Sequence, residues 1–162
     1  MHENGECDLR GIYIVALIGK TLGMKEDIYE GLAEEIIACQ TYEGGLTNVP
    51  GGEAHGGYTF CGVAALALLG QLERLDISKL MFWLSQRQVD KLGGFSGRTN
   101  KLIDSCYSFW VGATFNTVND YFEGKVSFEN QLYHIVIYSD FTTNSICSVI
   151  WYRLANSRKG GW

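Results

Sequence analysis

A short glycine motif recurs in this chain and limits how the chain can fold. Two glycines followed by a bulky apolar residue occur at Gly44-Gly45-Leu46, Gly93-Gly94-Phe95 and Gly160-Gly161-Trp162. Between the first two copies lie an almost continuously apolar stretch, a short link and an amphipathic stretch, so each unit predicts a helical hairpin. Hairpins of this kind bury their apolar faces only against neighbouring hairpins. They therefore stack into a solenoid or close into a ring.

Helical periodicity predicts the elements between and around these turns. The predicted helices cover residues 7–23, Asp27–Cys39 with Asp27 as a cap, Tyr58–Leu69 resuming near Glu53 or Ala54, Asp76–Val89, Asp104–Phe115, 128–137 and 145–154. Pro50 is the only proline, so few helices are interrupted. The segment 133–146 is rich in β-branched and aromatic residues, which weakens the helix prediction there. We expect one all-α domain over residues 1–162, with about three hairpins.

Composition excludes several classes of protein. The chain of 162 residues is 46% apolar and has a net charge of −5, which argues against disorder and against nucleic acid as a partner. No apolar run is long enough for a transmembrane helix, and the acidic N-terminus lacks the features of a signal peptide. The five cysteines are odd in number and widely spaced. They do not form a disulfide framework, which predicts a cytoplasmic protein.

The segment that follows the second glycine turn carries groups suited to three kinds of ligand. Two cations suit a phosphate, a carboxylate and a thiol suit a zinc ion, and an aromatic run suits an apolar chain. These groups are Arg98 and Lys101, then Asp104 and Cys106, then Tyr107, Phe109 and Trp110. The stretch 53–62 follows the first turn in the same way. In a ring of hairpins the starts of inner helices converge, and their dipoles favour an anion.

Each of these residues also has a purely structural interpretation. Asp104 fits a helix N-cap, Cys106 a small buried apolar residue, and His55 a buried, hydrogen-bonded histidine. The two cations fit a solvated loop, and Tyr13, Tyr58 and Trp110 fit a helical core. Cys7, Cys39 and Cys147 are interpreted as structural.

Taken together, the motifs resemble the β subunits of the protein prenyltransferases, most closely those of the farnesyltransferase type. The motifs are 7–13 (CDLRGIY), 53–62 (EAHGGYTFCG), 97–102 (GRTNKL) and 104–110 (DSCYSFW), and the resemblance runs from about residue 7 to about residue 115. It implies an α/α toroid of the prenyltransferase and terpenoid-cyclase type. It also implies Zn²⁺ as cofactor, a prenyl diphosphate donor, a CaaX-type cysteine acceptor at a protein C-terminus and a helical α subunit, and it leaves Mg²⁺ open.

The resemblance also implies roles for individual residues. Asp104 and Cys106 match two of the family's three zinc ligands. Contacts to the diphosphate are implied for His55, Arg98, Lys101 and Tyr107. The residues implied to be catalytic are Asp104, Cys106, Tyr107 and Lys101. Walls of the isoprenoid pocket are implied for Arg10, Tyr13, Gly57, Tyr58, Cys61 and Trp110. The third zinc ligand is expected after the next glycine turn, whereas His134 precedes it and is not assigned. We therefore expect an incomplete barrel, as part of a longer protein or as a reduced form.

The function predicted from these motifs is farnesyl transfer, because Tyr58 and Trp110 together shorten the pocket. Residues 109–114 (FWVGAT) resemble the type I geranylgeranyltransferase instead, which keeps that donor as an alternative. A second alternative is a helical scaffold that binds a partner or a prenyl group without transferring it. A terpene cyclase is disfavoured, because the chain has no aspartate-rich motif.

Overall fold

The structure, a computed structural model, describes residues 7–89 and 93–124. Its helices are α1 (Leu9–Thr21), α2 (Leu32–Ala38), α3 (Gly56–Leu69), α4 (Ile77–Ser85) and α5 (Cys106–Phe122), with short 3₁₀ helices at Glu26–Tyr29 and Leu72–Arg74. The predicted all-α class is confirmed. No helix in the described ranges is both long and apolar enough to cross a membrane. The third glycine turn, His134 and the helices predicted at 128–137 and 145–154 lie outside the described residues.

The helix α3 forms the centre of the described core. It packs against both α1 and α5, while α2 contacts α3 and α4 contacts α5. Every residue from Thr59 to Ala67 is buried, which agrees with the nearly continuous apolar sequence there. Among the glycines of α3, Gly62 allows the closest approach of a neighbouring side chain, because a Cβ atom at this position would lie 2.4 Å from Leu46. The buried Thr59 hydroxyl accepts a hydrogen bond from the Leu46 N–H at 2.9 Å, so both of these buried polar groups are paired.

Three predicted helix boundaries were wrong, each for a local reason. Asp27 does not cap a helix: the chain forms a 3₁₀ turn there, and α2 starts only after Gly31, which has a φ of +78°. The helix predicted to reach Val89 ends at Ser85, because the following residues pair with the second glycine turn. In the other direction, α5 continues to Phe122, well beyond the predicted end at Phe115.

The first two glycine turns have the same hydrogen-bonded form. Isolated antiparallel bridges join Gln40 to Leu46 and Gln88 to Phe95. The first glycine of each motif has a positive φ, +109° at Gly44 and +70° at Gly93, a conformation that side chains with a Cβ rarely adopt. The predicted repeat is therefore confirmed for these two copies.

The repeat extends from the turns into the helices that follow them. The N–H of Thr47 donates to the Cys39 carbonyl, and the N–H of Ser96 donates to the Arg87 carbonyl. Further on, the N–H of His55 donates to Leu46 at 2.9 Å, and the N–H of Asp104 donates to Phe95 at 3.2 Å. These matched bonds place Cys39 and Arg87 at equivalent positions. In the same way they place His55 and Asp104 at equivalent positions before α3 and α5.

Candidate functional site

The inner helices α1, α3 and α5 begin in the same way. Before each of them, a polar side chain accepts a hydrogen bond from the backbone N–H two residues further along. The acceptors are Asp8 for Arg10 at 2.9 Å, His55 for Gly57 at 3.1 Å and Asp104 for Cys106 at 2.9 Å. These bonds satisfy N–H groups that a helix start leaves unpaired. Because α3 lies against both other helices, the predicted site residues stand at the starts of neighbouring elements.

His55 joins the starts of α3 and α5. Its Nδ1 accepts from the Gly57 N–H, and its Nε2 lies 3.0 Å from the Tyr107 hydroxyl oxygen. Since an accepting Nδ1 carries no proton, the neutral ring has its proton on Nε2 and donates it to Tyr107. The hydrogen of the Tyr107 hydroxyl is then available to another acceptor.

Charge around His55 is balanced between a cation and a carboxylate. Burial lowers the pKa of His55, the nearby Arg98 lowers it further, and Glu53 raises it. Arg98 forms an ion pair with Glu53, with 3.0 Å between its Nη1 and the carboxylate oxygen. The Arg98 side chain remains 40% exposed, so it can contact a further anion. The structure thus brings together His55, Tyr107 and Arg98, three of the residues for which the resemblance implies diphosphate contacts.

The Tyr107 ring is fixed by close contact with two glycines. A Cβ atom at Gly97 would lie 2.0 Å from the ring, and one at Gly56 would lie 3.1 Å from it. The two segments are also tied through their backbones, because the Gly56 N–H donates to the Gly97 carbonyl at 2.9 Å. The loop that carries Arg98 is thereby held against the start of α3.

Asp104 and Cys106 place a carboxylate and a thiol side by side. Partial desolvation and the neighbouring Asp104 carboxylate raise the pKa of the Cys106 thiol to about 11. Asp104 and Cys106 are both exposed, so the interpretation of Cys106 as a buried apolar residue was wrong. The two groups suit zinc as donors, but a catalytic zinc usually has three protein ligands. Within the described ranges, no cluster of three or more His, Cys, Asp or Glu side chains could hold a metal.

Aromatic side chains of α1, α3 and α5 form a cluster around Phe60. Its ring centroid lies 5.7 Å from Tyr13, 5.3 Å from Phe109 and 5.4 Å from Trp110. Phe60 is buried, whereas Tyr13, Phe109 and Trp110 are only partly buried and present apolar surface. Phe60 lies within a quoted motif, but the sequence interpretation gave it no role. Its central position depends on contacts between helices.

The remaining predicted residues occupy the same end of the molecule. Arg10 pairs with Asp8, and its guanidinium carbon lies 5.6 Å from the centroid of the Tyr58 ring. That ring in turn lies 5.2 Å from His55. Cys61 is buried, and burial raises its thiol pKa to about 11. Two predicted residues remain. The Gly57 N–H donates to His55 at the start of α3, and Lys101 is exposed on the loop that carries Arg98.

Comparisons with known proteins agree with this architecture. Residues 1–149 match the family model described as prenyltransferase alpha-alpha toroid domain. The protein farnesyltransferase β subunits of Schizosaccharomyces pombe and Pisum sativum are 52% and 50% identical to the chain, over 70% and 69% of its length. The geranylgeranyl transferase type-1 β subunit of Arabidopsis thaliana is 40% identical over 73% of the chain.

These relatives are much longer than the chain. It spans 30% of the Schizosaccharomyces protein, 27% of the Pisum protein and 34% of the Arabidopsis protein. Among solved structures, Candida albicans protein geranylgeranyltransferase-I complexed with GGPP matches 72% of the chain and 40% of its own chain, with a TM-score of 0.58 and 30% identity. The family model covers most of the chain, and the helical fold agrees with it. The chain therefore belongs to the prenyltransferase α–α toroid family.

Proposed function

We propose that the polypeptide containing this chain transfers a farnesyl group from farnesyl diphosphate to the cysteine thiol of a C-terminal CaaX motif. The observation that carries the proposal is the meeting of His55 with Arg98 and Tyr107, which lie more than forty positions further along the chain. The Asp104–Cys106 pair precedes Tyr107 directly, and the aromatic cluster lies further along the same helices. Donors for an anion and ligands for a metal thus lie at the starts of α3 and α5 and in the loop before α5, next to apolar surface of α1, α3 and α5.

The proposed reaction exchanges one bond to the first carbon of the prenyl chain for another. The bond from this carbon to the diphosphate oxygen breaks, a bond to the acceptor sulfur forms, and the thiol proton is released. Arg98, Lys101 and the Tyr107 hydroxyl would stabilise the negative charge that builds on the departing diphosphate. Tyr107 is oriented for this role, since the His55 Nε2–H occupies its oxygen and leaves its hydrogen for the ligand.

The proposal includes a zinc ion held by Asp104 and Cys106, with a third ligand from outside the described residues. When bound, zinc would lower the pKa of the acceptor thiol and hold it as a thiolate. Asp104 accepts a hydrogen bond from the Cys106 N–H at 2.9 Å, which places the two donor residues side by side at the start of α5. Binding of Mg²⁺, which prefers oxygen ligands, stays a prediction.

The length of the prenyl donor distinguishes the proposed function from a second candidate, transfer of the longer geranylgeranyl group. Tyr58 and Trp110 add bulk beside the apolar surface and favour the shorter farnesyl chain. Transfer of geranylgeranyl is the alternative, favoured by the similarity to the Candida structure and to the Arabidopsis type-1 subunit. Comparing the two diphosphates as donors for the wild type and for Tyr58→Thr separates the candidates. The farnesyl proposal expects the variant to gain activity with the longer donor.

Assembly with a prenyltransferase α subunit belongs to the same proposal, since the relatives in question are named β subunits. A reducing compartment such as the cytosol is also proposed. None of the four cysteines in the described ranges is in a disulfide, which supports this location. A scaffold that binds a prenyl group without transferring it would show binding but no product.

Substitution of the two cations tests the proposed anion site. Arg98→Ala and Lys101→Ala in the full-length polypeptide should weaken binding of farnesyl diphosphate but leave binding of farnesol unchanged. Each charge-assisted contact is worth about 1.5–3 kcal/mol, or roughly one to two decades in affinity. Lys79→Ala is the matched control, because Lys79 is exposed and pairs with Asp76 away from the site. Equal losses for both ligands would show that the cations act through folding.

A further inference from the structure

Arg87 is a buried cation next to the loop that carries Arg98 and Lys101. It follows the end of α4 and is only 5% exposed. Burying a guanidinium is unfavourable unless its N–H groups are hydrogen-bonded and its charge is compensated. Among the residues that the structure describes, no carboxylate forms a salt bridge with Arg87. The carboxylates of Glu43 and Glu53 act on this charge without pairing with it directly. The buried position of Arg87 therefore needs an explanation beyond packing.

The Arg87 side chain contacts both the preceding helix α4 and the cationic loop. Its Nε donates to the Trp83 carbonyl at 3.4 Å. Its Nη1 donates to the Thr99 hydroxyl oxygen at 3.1 Å, and its guanidinium carbon lies 4.8 Å from the centroid of the Trp83 ring. Its carbonyl accepts from the Ser96 N–H at 2.8 Å and from the Ser96 hydroxyl at 3.3 Å. Arg87 therefore holds residues on both sides of Arg98. The Arg87 side chain makes the contact to Thr99, which lies between Arg98 and Lys101, whereas its backbone carbonyl makes the contacts to Ser96.

Comparison of the two hairpins shows that the turn itself does not need this arginine. The equivalent position in the first hairpin is Cys39, and that turn closes with the same backbone hydrogen bonds. The loop after the first turn, residues 47–53, contains no Lys or Arg. The arginine thus occurs in the hairpin whose loop presents two cations. This points to the loop, rather than to closure of the turn, as the reason for the buried charge.

We propose that Arg87 is a positioning residue that fixes the spacing of Arg98 and Lys101 for a diphosphate. The inference rests on the proposed function of those two cations. A loop already held in its binding geometry loses less conformational freedom when the ligand arrives, and so binds more tightly. Arg87 acts through Thr99 and does not itself contact the ligand.

The first test measures the loop without any ligand. In the full-length polypeptide, Arg87→Met and Thr99→Val should speed amide hydrogen exchange in residues 97–101, while α3 and α5 keep their protection. Thr99→Ser, which retains the hydroxyl, should exchange like the wild type. Arg74→Met is the matched control, because Arg74 pairs with Glu34 outside the site. Unchanged exchange in both Arg87→Met and Thr99→Val would overturn the proposal.

The second test measures the consequence for an anion. Arg87→Met and Thr99→Val should each weaken binding of inorganic pyrophosphate and of farnesyl diphosphate by about tenfold, or ~1.4 kcal/mol, and leave farnesol binding unchanged. The double variant should lose no more than either single variant, since both changes remove one hydrogen bond. Equal losses for farnesol, or additive losses in the double variant, would count against positioning.

The two hypotheses can fail separately. If Arg98→Ala weakens pyrophosphate binding and Arg87→Met does not, the anion site stands and the positioning role is wrong. If the wild type does not bind pyrophosphate, the proposed function fails, and with it the role of Arg87 toward a diphosphate. The exchange measurement then still decides whether Arg87 holds the loop.

Discussion

His55 performs two tasks with one neutral ring. Its Nδ1 accepts the Gly57 N–H at the start of α3, and its Nε2–H orients the Tyr107 hydroxyl. Protonation of Nδ1 removes the first bond, because a protonated nitrogen cannot accept. The cap and the site should therefore respond to pH together.

The lowered pKa of His55 fixes the sign of that response. Burial holds it below the ordinary value of 6.5, so between the two values the unfolded chain binds more protons than the folded chain. This contribution to stability is complete above pH 6.5 and decreases as the pH falls toward the folded-state pKa. We expect the free energy of unfolding, measured with urea at about pH 7.5 and about pH 5.5, to decrease more for the wild type than for His55→Asn. Asn keeps a capping oxygen that does not titrate in this range. Equal decreases in the two proteins would contradict the assignment.

Gly97 is the residue that lets the Tyr107 ring lie against the cationic loop. Gly97→Ala would place a methyl group 2.0 Å from the ring, so the ring must move and its bond to His55 must break. Overpacking of this kind typically costs about 1–3 kcal/mol. Gly11→Ala is the matched control, since nothing lies within 4 Å of its new methyl group and its helix should gain stability. Chemical denaturation of the two variants compares them, and similar stabilities would argue against a fixed ring.

At this scale the motifs predicted which residues meet but not how they are held. His55, Arg98 and Tyr107 stand in quoted motifs, and their proximity follows from the resemblance. Glu53 as the partner of Arg98, and the Thr99 contact of Arg87, depend on distances between separate elements. Neither periodicity nor local spacing carries that information.

Among the elements, the glycine turns are held by contacts that differ from one glycine to the next. Gly44 has a φ of +109°, and a Cβ atom there would lie 2.1 Å from the carbonyl oxygen of Lys79 on α4. Gly51 has a φ of +87° but nothing within 4 Å. Gly44→Ala therefore combines backbone strain with a clash against backbone, whereas Gly51→Ala has strain alone.

We expect Gly44→Ala to reduce the free energy of unfolding by more than Gly51→Ala does. Strain alone is worth about 1–3 kcal/mol, and Gly44→Ala should exceed that range because the Lys79 carbonyl cannot rotate away as a side chain can. Equilibrium unfolding with urea measures both variants against the wild type. Equal losses would mean that the first turn can separate from α4 at little cost.

Helix existence was predicted better than helix boundaries. Apolar periodicity identified all five described α-helices, since each buries one face or, in α3, nearly its whole surface. The predicted helix start at Asp27 was wrong because Gly31 adopts a left-handed conformation that divides the expected helix. The end of α4 fails because Arg87 and Gln88 are used by the second turn, a pairing between segments that no local pattern marks.

At the scale of the whole molecule, the proposed zinc site needs a ligand that the described hairpins do not supply. Asp104 and Cys106 contribute two donors, and the described ranges contain no cluster of three. A catalytic zinc with two protein ligands would be held weakly, since three are usual. The chain also spans only 30% of the length of the Schizosaccharomyces relative.

We therefore expect the isolated 162-residue chain to bind less than one zinc per molecule and to show no prenyl transfer. Under the proposed function, a longer polypeptide that contains this chain, assembled with a prenyltransferase α subunit, should bind zinc stoichiometrically and lose it in Asp104→Asn and in Cys106→Ala. Metal analysis after dialysis measures the stoichiometry, and transfer of farnesyl to a peptide ending in a CaaX motif measures the activity. His134→Ala in the isolated chain is the deciding variant. Tight one-to-one zinc in the chain alone, lost in both Cys106→Ala and His134→Ala, would place the third ligand at His134. Tight zinc that survives Cys106→Ala would instead remove the Asp104–Cys106 pair as the metal site.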